Sequence, residues 1–148
     1  MTKDYKDFTI EEANALVPWL DYQFGMMFML MRQMEDVLAE MMRRDINPSP
    51  EMSVIRRDDP PPVKRLKRKL KRLIARIFDY YSRVQDRGVV IQDVSSGTVS
   101  FYTYFGEHPV FLAWQVGETE VRWWHELHED AECRKPLSRS HSATSLVN

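Results

Sequence analysis

The sequence predicts an α+β fold in which a long antiparallel helical hairpin packs with a three- to four-stranded antiparallel β-meander. Two segments with apolar residues at alternating steps of three and four predict the helices, and a later change to a period of two predicts the strands. We expect a single domain over residues 1–137, with helices at about 10–44 and 63–87 and strands within 89–124. Residues 138–148 are rich in serine and poor in apolar side chains, so we expect a disordered tail there.

The first helix begins at a capping box. Thr9 stands three residues before Glu12, so the two residues can satisfy each other's backbone N–H groups at the start of the helix. The apolar residues that follow keep the three-four spacing, which is typical of a helix packed against a second helix at a shallow angle. Pro18 interrupts this pattern, and we expect it to kink the helix or to split off a short N-terminal piece.

A proline-rich connector over residues 45–62 separates the two helices, because proline does not fit inside a helix. The second helix repeats the three-four spacing, and Gly88 is its expected C-terminal stop. The strands expected after Gly88 have turn residues between them, and a short fourth strand is expected at residues 120–123. The three longer strands are expected near residues 89–91, 99–105 and 110–116.

Composition indicates an ordinary globular chain, with 43% hydrophobic and 29% charged residues. The single cysteine, Cys133, excludes an internal disulfide and any zinc site made of several cysteines. The sequence has no apolar segment of signal-peptide type, and no run approaches the roughly 20 apolar residues that span a bilayer. We therefore expect a cytoplasmic protein without a transmembrane segment.

Positive charge is concentrated at the start of the second helix, where residues 64–76 contain no acid although the chain has a net charge of −1. Such a helix could bind the phosphates of a nucleic acid or anionic lipid. Few aromatic residues lie nearby to stack on bases, so the sequence favours a solvated helix face over a nucleic-acid surface. The basic patch consists of Lys64, Arg65, Lys67, Arg68, Lys69, Lys71 and Arg72, with Arg76 beyond it.

Methionines are concentrated in the first helix and lie on more than one of its faces. A helix that is apolar on two faces has more surface to bury than one partner helix and a small sheet can cover. We therefore expect a homodimer through this methionine-rich helix, with another protein as the alternative partner. The methionines are Met26, Met27, Met29, Met31, Met34, Met41 and Met42.

The candidate metal or ligand site centres on His125. If this part of the chain is helical, His125, His128 and Glu129 share one helix face. Glu118 in the preceding turn, or Asp93 at the end of the first strand, could complete a shell for zinc, iron or manganese. These residues could also act as a general acid and base. The competing interpretation is a set of hydrogen-bonded surface histidines, because a chain with 22 acidic residues produces such spacings by chance.

Nucleophile and phosphate-binding motifs are absent from the sequence. It has no Gly-x-Ser-x-Gly elbow, no Gly-x-x-x-x-Gly-Lys loop and no Gly-x-Gly-x-x-Gly fingerprint. Cys133 has two cationic neighbours, but no base is fixed beside it. No complete catalytic set is therefore recognised.

Several motifs together resemble the small bacterial family catalogued as domain of unknown function 2203. They are FTIEEANALVP at residues 8–18, WQVGE at 114–118, WHE at 124–126 and RKPL at 134–137. The resemblance spans nearly the whole chain and implies no activity, because the family has none assigned. Matching positions are Glu11, Asn14, Pro18, Asp93, Gly117, Glu118, Trp124, His125 and Arg134.

The resemblance centres the site on His125 and Glu118. It implies supporting roles for Glu11, Asn14, Trp124 and Arg134. An acid is more usual than His128 in the family pattern, which weakens the contribution of that residue. Further departures are Ala113 where a cysteine is common, Ser100 where an acid is usual, and Asp130 where a glycine is expected.

Three functional hypotheses follow. The leading one is a non-catalytic intracellular interaction or regulatory module, because long helical seams provide surfaces and the catalytic set is incomplete. The alternative is a metal-dependent enzyme or metal-binding protein at His125 and Glu118, with the ion acting as a Lewis acid. The third is nucleic-acid binding through residues 64–76.

Overall fold

The computed structural model describes residues 5–46 and 54–138. It contains two long helices and an antiparallel sheet in the order β1-β2-β3-β4-β5. The predicted α+β class, helical hairpin and β-meander are confirmed, with one strand more than expected. The elements are α1 (Ile10–Arg43), α2 (Pro61–Asp86), β1 (Val90–Asp93), β2 (Thr98–Phe105), β3 (His108–Gln115), β4 (Trp123–Glu126) and β5 (Lys135–Pro136), with a 3-10 turn at Ala131–Cys133.

The chain forms two compact units. The hairpin unit is the contiguous segment Gly25–Tyr81. The sheet unit contains the described residues up to Phe24 and those from Ser82 onward, so it includes the first part of α1, the end of α2 and all five strands. The four tryptophans, Trp19, Trp114, Trp123 and Trp124, all belong to the sheet unit.

The start of α1 follows the sequence prediction. The Thr9 N–H donates to Glu12 Oε1 at 2.9 Å, and the Glu12 N–H donates to Thr9 Oγ1 at 3.0 Å, which is a complete capping box. Pro18 lies inside α1, which continues to Arg43, so of the two predicted effects of this proline the separate N-terminal piece is wrong. Val17, next to the proline, is buried.

The hairpin unit has its own apolar core. Leu30, Val37 and Met41 of α1 pack with Leu70 and Leu73 of α2, and all five side chains are buried. These residues belong to, or lie next to, the rows of apolar residues at steps of three and four that predicted the two helices. The antiparallel packing therefore follows from the spacing of apolar residues. Half-buried residues around this core are Met34, Leu38, Ile46, Leu66, Ile77 and Tyr80.

A buried ion pair attaches the connector to α2. Lys67 Nζ donates to Asp59 Oδ2 at 2.8 Å, and the two side chains are only 7% and 13% exposed. The Arg56 N–H donates to the same carboxylate oxygen at 2.7 Å. These contacts, with the Lys67 hydrogen bond as the larger cause, lower the pKa of Asp59.

In the sheet, register partners place their side chains on the same face. One face carries Val99, Phe101, Leu112 and Trp114, all of them buried, and Phe8 packs edge-to-face on Phe101 with ring centroids 5.2 Å apart. The opposite face carries Ser100, Tyr102, Phe111, Ala113 and His125.

The segment before α1 lies beside β2. The Phe8 N–H donates to the Tyr102 carbonyl at 2.8 Å. The Tyr5 ring lies 5.1 Å from the Tyr102 ring and 5.3 Å from the Phe111 ring, so it covers part of the second face.

Gly88 follows the end of α2, as predicted. It has a positive φ of 85°, and a Cβ atom at this position would lie 2.7 Å from Lys6 Cβ. Both the backbone conformation and the close approach therefore require glycine. The disordered tail expected after Leu137 lies, except for Ser138, outside the described residues. Within the described ranges no helix is long and apolar enough to cross a membrane.

Candidate functional site

His125 lies in strand β4, where its Cα partner is Phe111 of β3. The expectation that His125, His128 and Glu129 share one helix face is therefore wrong. Pairing with β3 imposes the two-residue period of a strand on this segment. The strand also begins later than the expected residues 120–123, because the loop after β3 continues to Arg122.

The imidazole of His125 is held by hydrogen bonds on both ring nitrogens. Nδ1 lies 2.8 Å from the Glu126 carbonyl oxygen, which can only accept, so Nδ1 carries the hydrogen. In the neutral ring Nε2 is then the acceptor, and Ser100 Oγ lies 3.2 Å away to donate to it. Gln92 Nε2 donates to Ser100 Oγ at 3.1 Å. A polar chain thus links β1, β2 and β4.

Ser100 and His125 have the pairing of a hydroxyl with a base, but neither side chain is accessible. Their exposed fractions are 0% and 1%. The Phe111 ring lies 5.5 Å from the imidazole, and Tyr5 packs on Phe111 in turn. A substrate cannot reach the serine hydroxyl in this arrangement, so the hydrogen bond serves to satisfy two buried polar groups.

Glu118 joins the end of β3 to the segment before β5. Its carboxylate accepts from the Gln115 N–H at 2.7 Å and from both terminal nitrogens of Arg134 at 3.1 and 2.9 Å. The Trp114 indole N–H donates to the Glu118 carbonyl at 2.9 Å. The Arg134 guanidinium also lies over the Trp123 ring, 4.7 Å from its centroid. This glutamate is thus fully engaged in structural contacts.

Asp93 and Glu129 also have local partners. Asp93 Oδ1 accepts from the hydroxyl and the N–H of Ser95 at 2.7 and 2.9 Å, and these bonds lower the pKa of Asp93. Glu129 Oε1 accepts from the Glu126 N–H at 2.9 Å and from Lys135 Nζ at 3.3 Å. The backbone bond first, and the lysine second, lower the pKa of Glu129.

The supporting residues have separate positions. Asn14 Oδ1 accepts from the Val121 N–H at 2.6 Å and joins α1 to the loop before β4. The Trp124 ring has Lys135 Nζ 4.7 Å from its centroid. Glu11 is exposed in the first turn of α1. Arg134 contacts one of the four candidate site residues, through its ion pair with Glu118.

The candidate residues do not converge on one point. Each carboxylate is bonded to a different partner, and the imidazole faces a serine. Among residues 5–46 and 54–138 there is no group of three or more histidine, cysteine, aspartate or glutamate side chains that could hold a metal ion. The predicted set comprised Asp93, Glu118, His125 and Glu129.

A polar cleft of about 460 Å³ lies between the β1–β2 turn and the segment before β5. Asp93 of the predicted set lines it, together with the supporting residue Arg134, whereas Glu118, His125 and Glu129 do not. Sequence reasoning missed Gln92 and Gln115, because neutral polar residues at strand ends have no distinctive spacing. The other lining residues are Ser96, Thr98, Asp130, Ala131 and Glu132.

The two positions Ser100 and Ala113 are Cα partners in the β2–β3 register, and Ser100 contacts His125 directly. They place a hydroxyl and a methyl group on the sheet face that carries His125.

The basic patch divides into one buried lysine and a set of exposed cations. Lys67 is paired with Asp59, whereas Lys64 is half-buried. In the part of the chain that the structure describes, the other members form no ion pair or hydrogen bond through their side chains. The exposed members are Arg65, Arg68, Lys69, Lys71 and Arg72.

Comparison with known proteins identifies one family. A family model described as an uncharacterized conserved protein, DUF2203, matches residues 6–137. No curated protein and no solved structure matches the chain. The match covers both helices and all five strands.

Proposed function

This chain belongs to the DUF2203 family of uncharacterized conserved proteins, and from the geometry of its site we propose that it is a cytoplasmic, non-catalytic interaction or regulatory module. One observation carries this proposal. The candidate acids and the imidazole already have hydrogen-bond or ion-pair partners inside the chain. Catalytic acids and bases need to reach a substrate proton, and these groups instead join strands, turns and the C-terminal segment.

The metal-dependent alternative receives no support from the positions of its residues. A zinc or iron site needs three or more ligands around one point. The Glu118 carboxylate is neutralised by Arg134, and His125 Nε2 faces the Ser100 hydroxyl. Binding an ion would require breaking both contacts.

Self-association is the second part of the proposal. Met29 and Met42 of α1 are 44% and 63% exposed in the hairpin unit. Burial of such side chains against a second copy would remove apolar surface from water, at roughly 25 cal/mol per Å². A homodimer through the methionine-rich helix is therefore the assembly that we propose.

Metal analysis tests the non-catalytic assignment. Purified protein, supplemented with zinc, iron and manganese and then dialysed, is expected to hold no stoichiometric metal. Glu118→Gln and His125→Ala should not change the metal content. Stoichiometric metal in the native protein that is lost in either variant would overturn the proposal in favour of a metal site.

Sedimentation tests the homodimer. We expect a dimer for the native chain and a shift to monomer for the double variant Met29→Arg with Met42→Arg. Ala75→Arg, which adds a cation at an exposed position of α2, is the control and should stay dimeric. A native chain that sediments as a monomer at micromolar concentration would remove this part of the proposal.

A further inference from the structure

Five exposed cations form a ridge along α2, which we define as Arg65, Arg68, Lys69, Arg72 and Arg76. An α-helix turns about 100° per residue, so these positions fall within an arc of roughly 100°. The buried residues Leu70 and Leu73 lie on a different side of the helix. The ridge therefore points away from the hairpin core.

None of the five ridge residues has a side-chain partner within the described ranges. Their side chains appear in no ion pair and no hydrogen bond, in contrast to Lys67, which Asp59 neutralises. On the facing helix, Glu40 is already engaged by Arg43 and Arg44, which lower the pKa of its carboxyl. The positive charge of the ridge is thus not neutralised by direct contacts inside the hairpin unit.

The ridge is long enough to contact several phosphates of a duplex. From Arg65 to Arg76 the helix rises about 16 Å, at 1.5 Å per residue. One strand of a duplex carries a phosphate about every 3.4 Å of axis, but a duplex completes a turn in about 10 base pairs, so each strand winds away from a straight helix. The ridge can therefore contact about two or three phosphates at once.

We infer that the ridge binds the phosphate backbone of double-stranded nucleic acid without reading its sequence. This inference rests on the proposed function, for which it names the partner. Two structural observations support it: the five cations lie along one side of α2, and their side chains have no partners within the described ranges.

Two competing anionic partners fit less well. An anionic membrane requires apolar side chains to insert beside the cations, but exposed Ile74 and Phe78 lie more than about 100° around the helix from the centre of the ridge. Single strands are usually held by stacking on aromatic side chains, and the ridge has none. A duplex needs only the phosphate contacts.

The test uses the 148-residue chain and a labelled DNA duplex of about 20 base pairs and mixed sequence. Binding is measured by fluorescence anisotropy across a salt series. About two or three phosphate contacts predict a slope of log K against log salt of roughly −2 to −3. Arg68→Glu with Arg72→Glu should weaken binding by at least about tenfold and make the slope shallower by about one to two.

The matched control is Arg32→Glu with Arg57→Glu. These two arginines are exposed, lie outside the ridge and have no side-chain partner in the described ranges, and the double variant has the same net charge as the ridge variant. It should bind the duplex within about threefold of the native chain. Equal weakening in both double variants would show a general charge effect and overturn the inference.

Vesicles of phosphatidylglycerol and phosphatidylcholine provide the second probe. Binding to vesicles but not to the duplex would replace the inference with a membrane partner, and no duplex binding at low salt would also overturn it. Each sample is sedimented in parallel. If the native chain sediments as a dimer but does not bind the duplex, this inference is overturned and the proposed self-association stands.

Discussion

The side-chain oxygen of Asn14 accepts a hydrogen bond from the backbone N–H of Val121 at 2.6 Å, although the two residues are 107 positions apart in the chain. Asn14 lies in the second turn of α1, and Val121 is buried in the loop before β4. One amide therefore fixes the position of the loop against the helix. Asn14 lies within the residues that match the family model, and its hydrogen bond to Val121 has a structural role.

Replacing Asn14 with alanine is expected to lower the free energy of unfolding by about 1–3 kcal/mol, because the buried Val121 N–H loses its acceptor. Asn14→Asp retains an oxygen and should recover part of the loss. Thermal unfolding by calorimetry measures both, with Glu11→Ala as an exposed control on the same helix. An unchanged midpoint in Asn14→Ala would contradict the structural role.

The Ser100–His125 contact predicts non-additive stability changes. Ser100→Ala leaves His125 Nε2 buried without its donor and should cost about 1–3 kcal/mol. When Ser100→Ala is combined with His125→Phe, the total loss should be smaller than the sum of the single losses by at least about 0.5 kcal/mol, since neither member of the Ser100–His125 hydrogen bond is then left buried without the other. Denaturant titration of the four proteins completes the cycle. Strict additivity would show that the two side chains do not interact.

The Asp59–Lys67 pair predicts a loss of stability in acid. The Lys67 hydrogen bond, and then the Arg56 N–H, lower the pKa of Asp59, so the folded state favours its charged form. The contribution of charged Asp59 to the free energy of unfolding is complete above the pKa of about 3.9 that an aspartate has in the unfolded chain. It is lost as pH falls through the lower pKa of the folded state. Asp59→Asn should therefore be less stable than the native chain at pH 7, with a shallower decline below about pH 4.

Asp58→Asn is the control for this titration, because Asp58 is adjacent and exposed. Thermal midpoints measured from neutral pH to about pH 3 compare the three proteins across the window of the lowered pKa. If Asp59→Asn and Asp58→Asn showed the same acid profile, the buried pair would have no special effect on stability.

Tyr102 predicts a change in alkali. Its hydroxyl donates to the Tyr104 hydroxyl at 3.0 Å, and this bond, together with burial, raises the pKa of Tyr102 to about 12. Folding favours the neutral phenol of Tyr102. Its contribution to the free energy of unfolding is therefore complete below the usual tyrosine pKa of about 10 and is lost as pH rises towards about 12. Ultraviolet titration should show one late tyrosine that titrates earlier in Tyr104→Phe.

Tyr22→Phe is the control for that measurement, because Tyr22 is exposed and its loss should leave the late transition in place. The late transition must also disappear in Tyr102→Phe. If it remained in that variant, another tyrosine would be responsible for it.

The long elements could be predicted because their periods extend over many residues. The three-four spacing fixed both helices to within two residues, and the eight-residue strands β2 and β3 followed from their aromatic alternation. Strand β5 could not be predicted, because two residues have no period. β4, with four residues, was too short to distinguish a strand from a helix without knowledge of its partner.

The candidate site was less predictable because strand register determines it. Ser100 meets His125 across 25 positions through the pairing of β2 with β3 and β3 with β4, and turn lengths set that register. The sequence likewise placed Lys67 among solvated cations. Its burial depends on Asp59, which the connector brings back to the helix.

The placement of all four tryptophans in the sheet unit gives that unit its own spectroscopic signal. Intrinsic indole emission reports on the sheet unit alone, whereas far-ultraviolet circular dichroism is dominated by the two long helices, parts of which belong to each unit. Unfolding curves that coincide in both signals would indicate that the two units melt cooperatively. Curves that separate would show that the chain does not unfold in a single step.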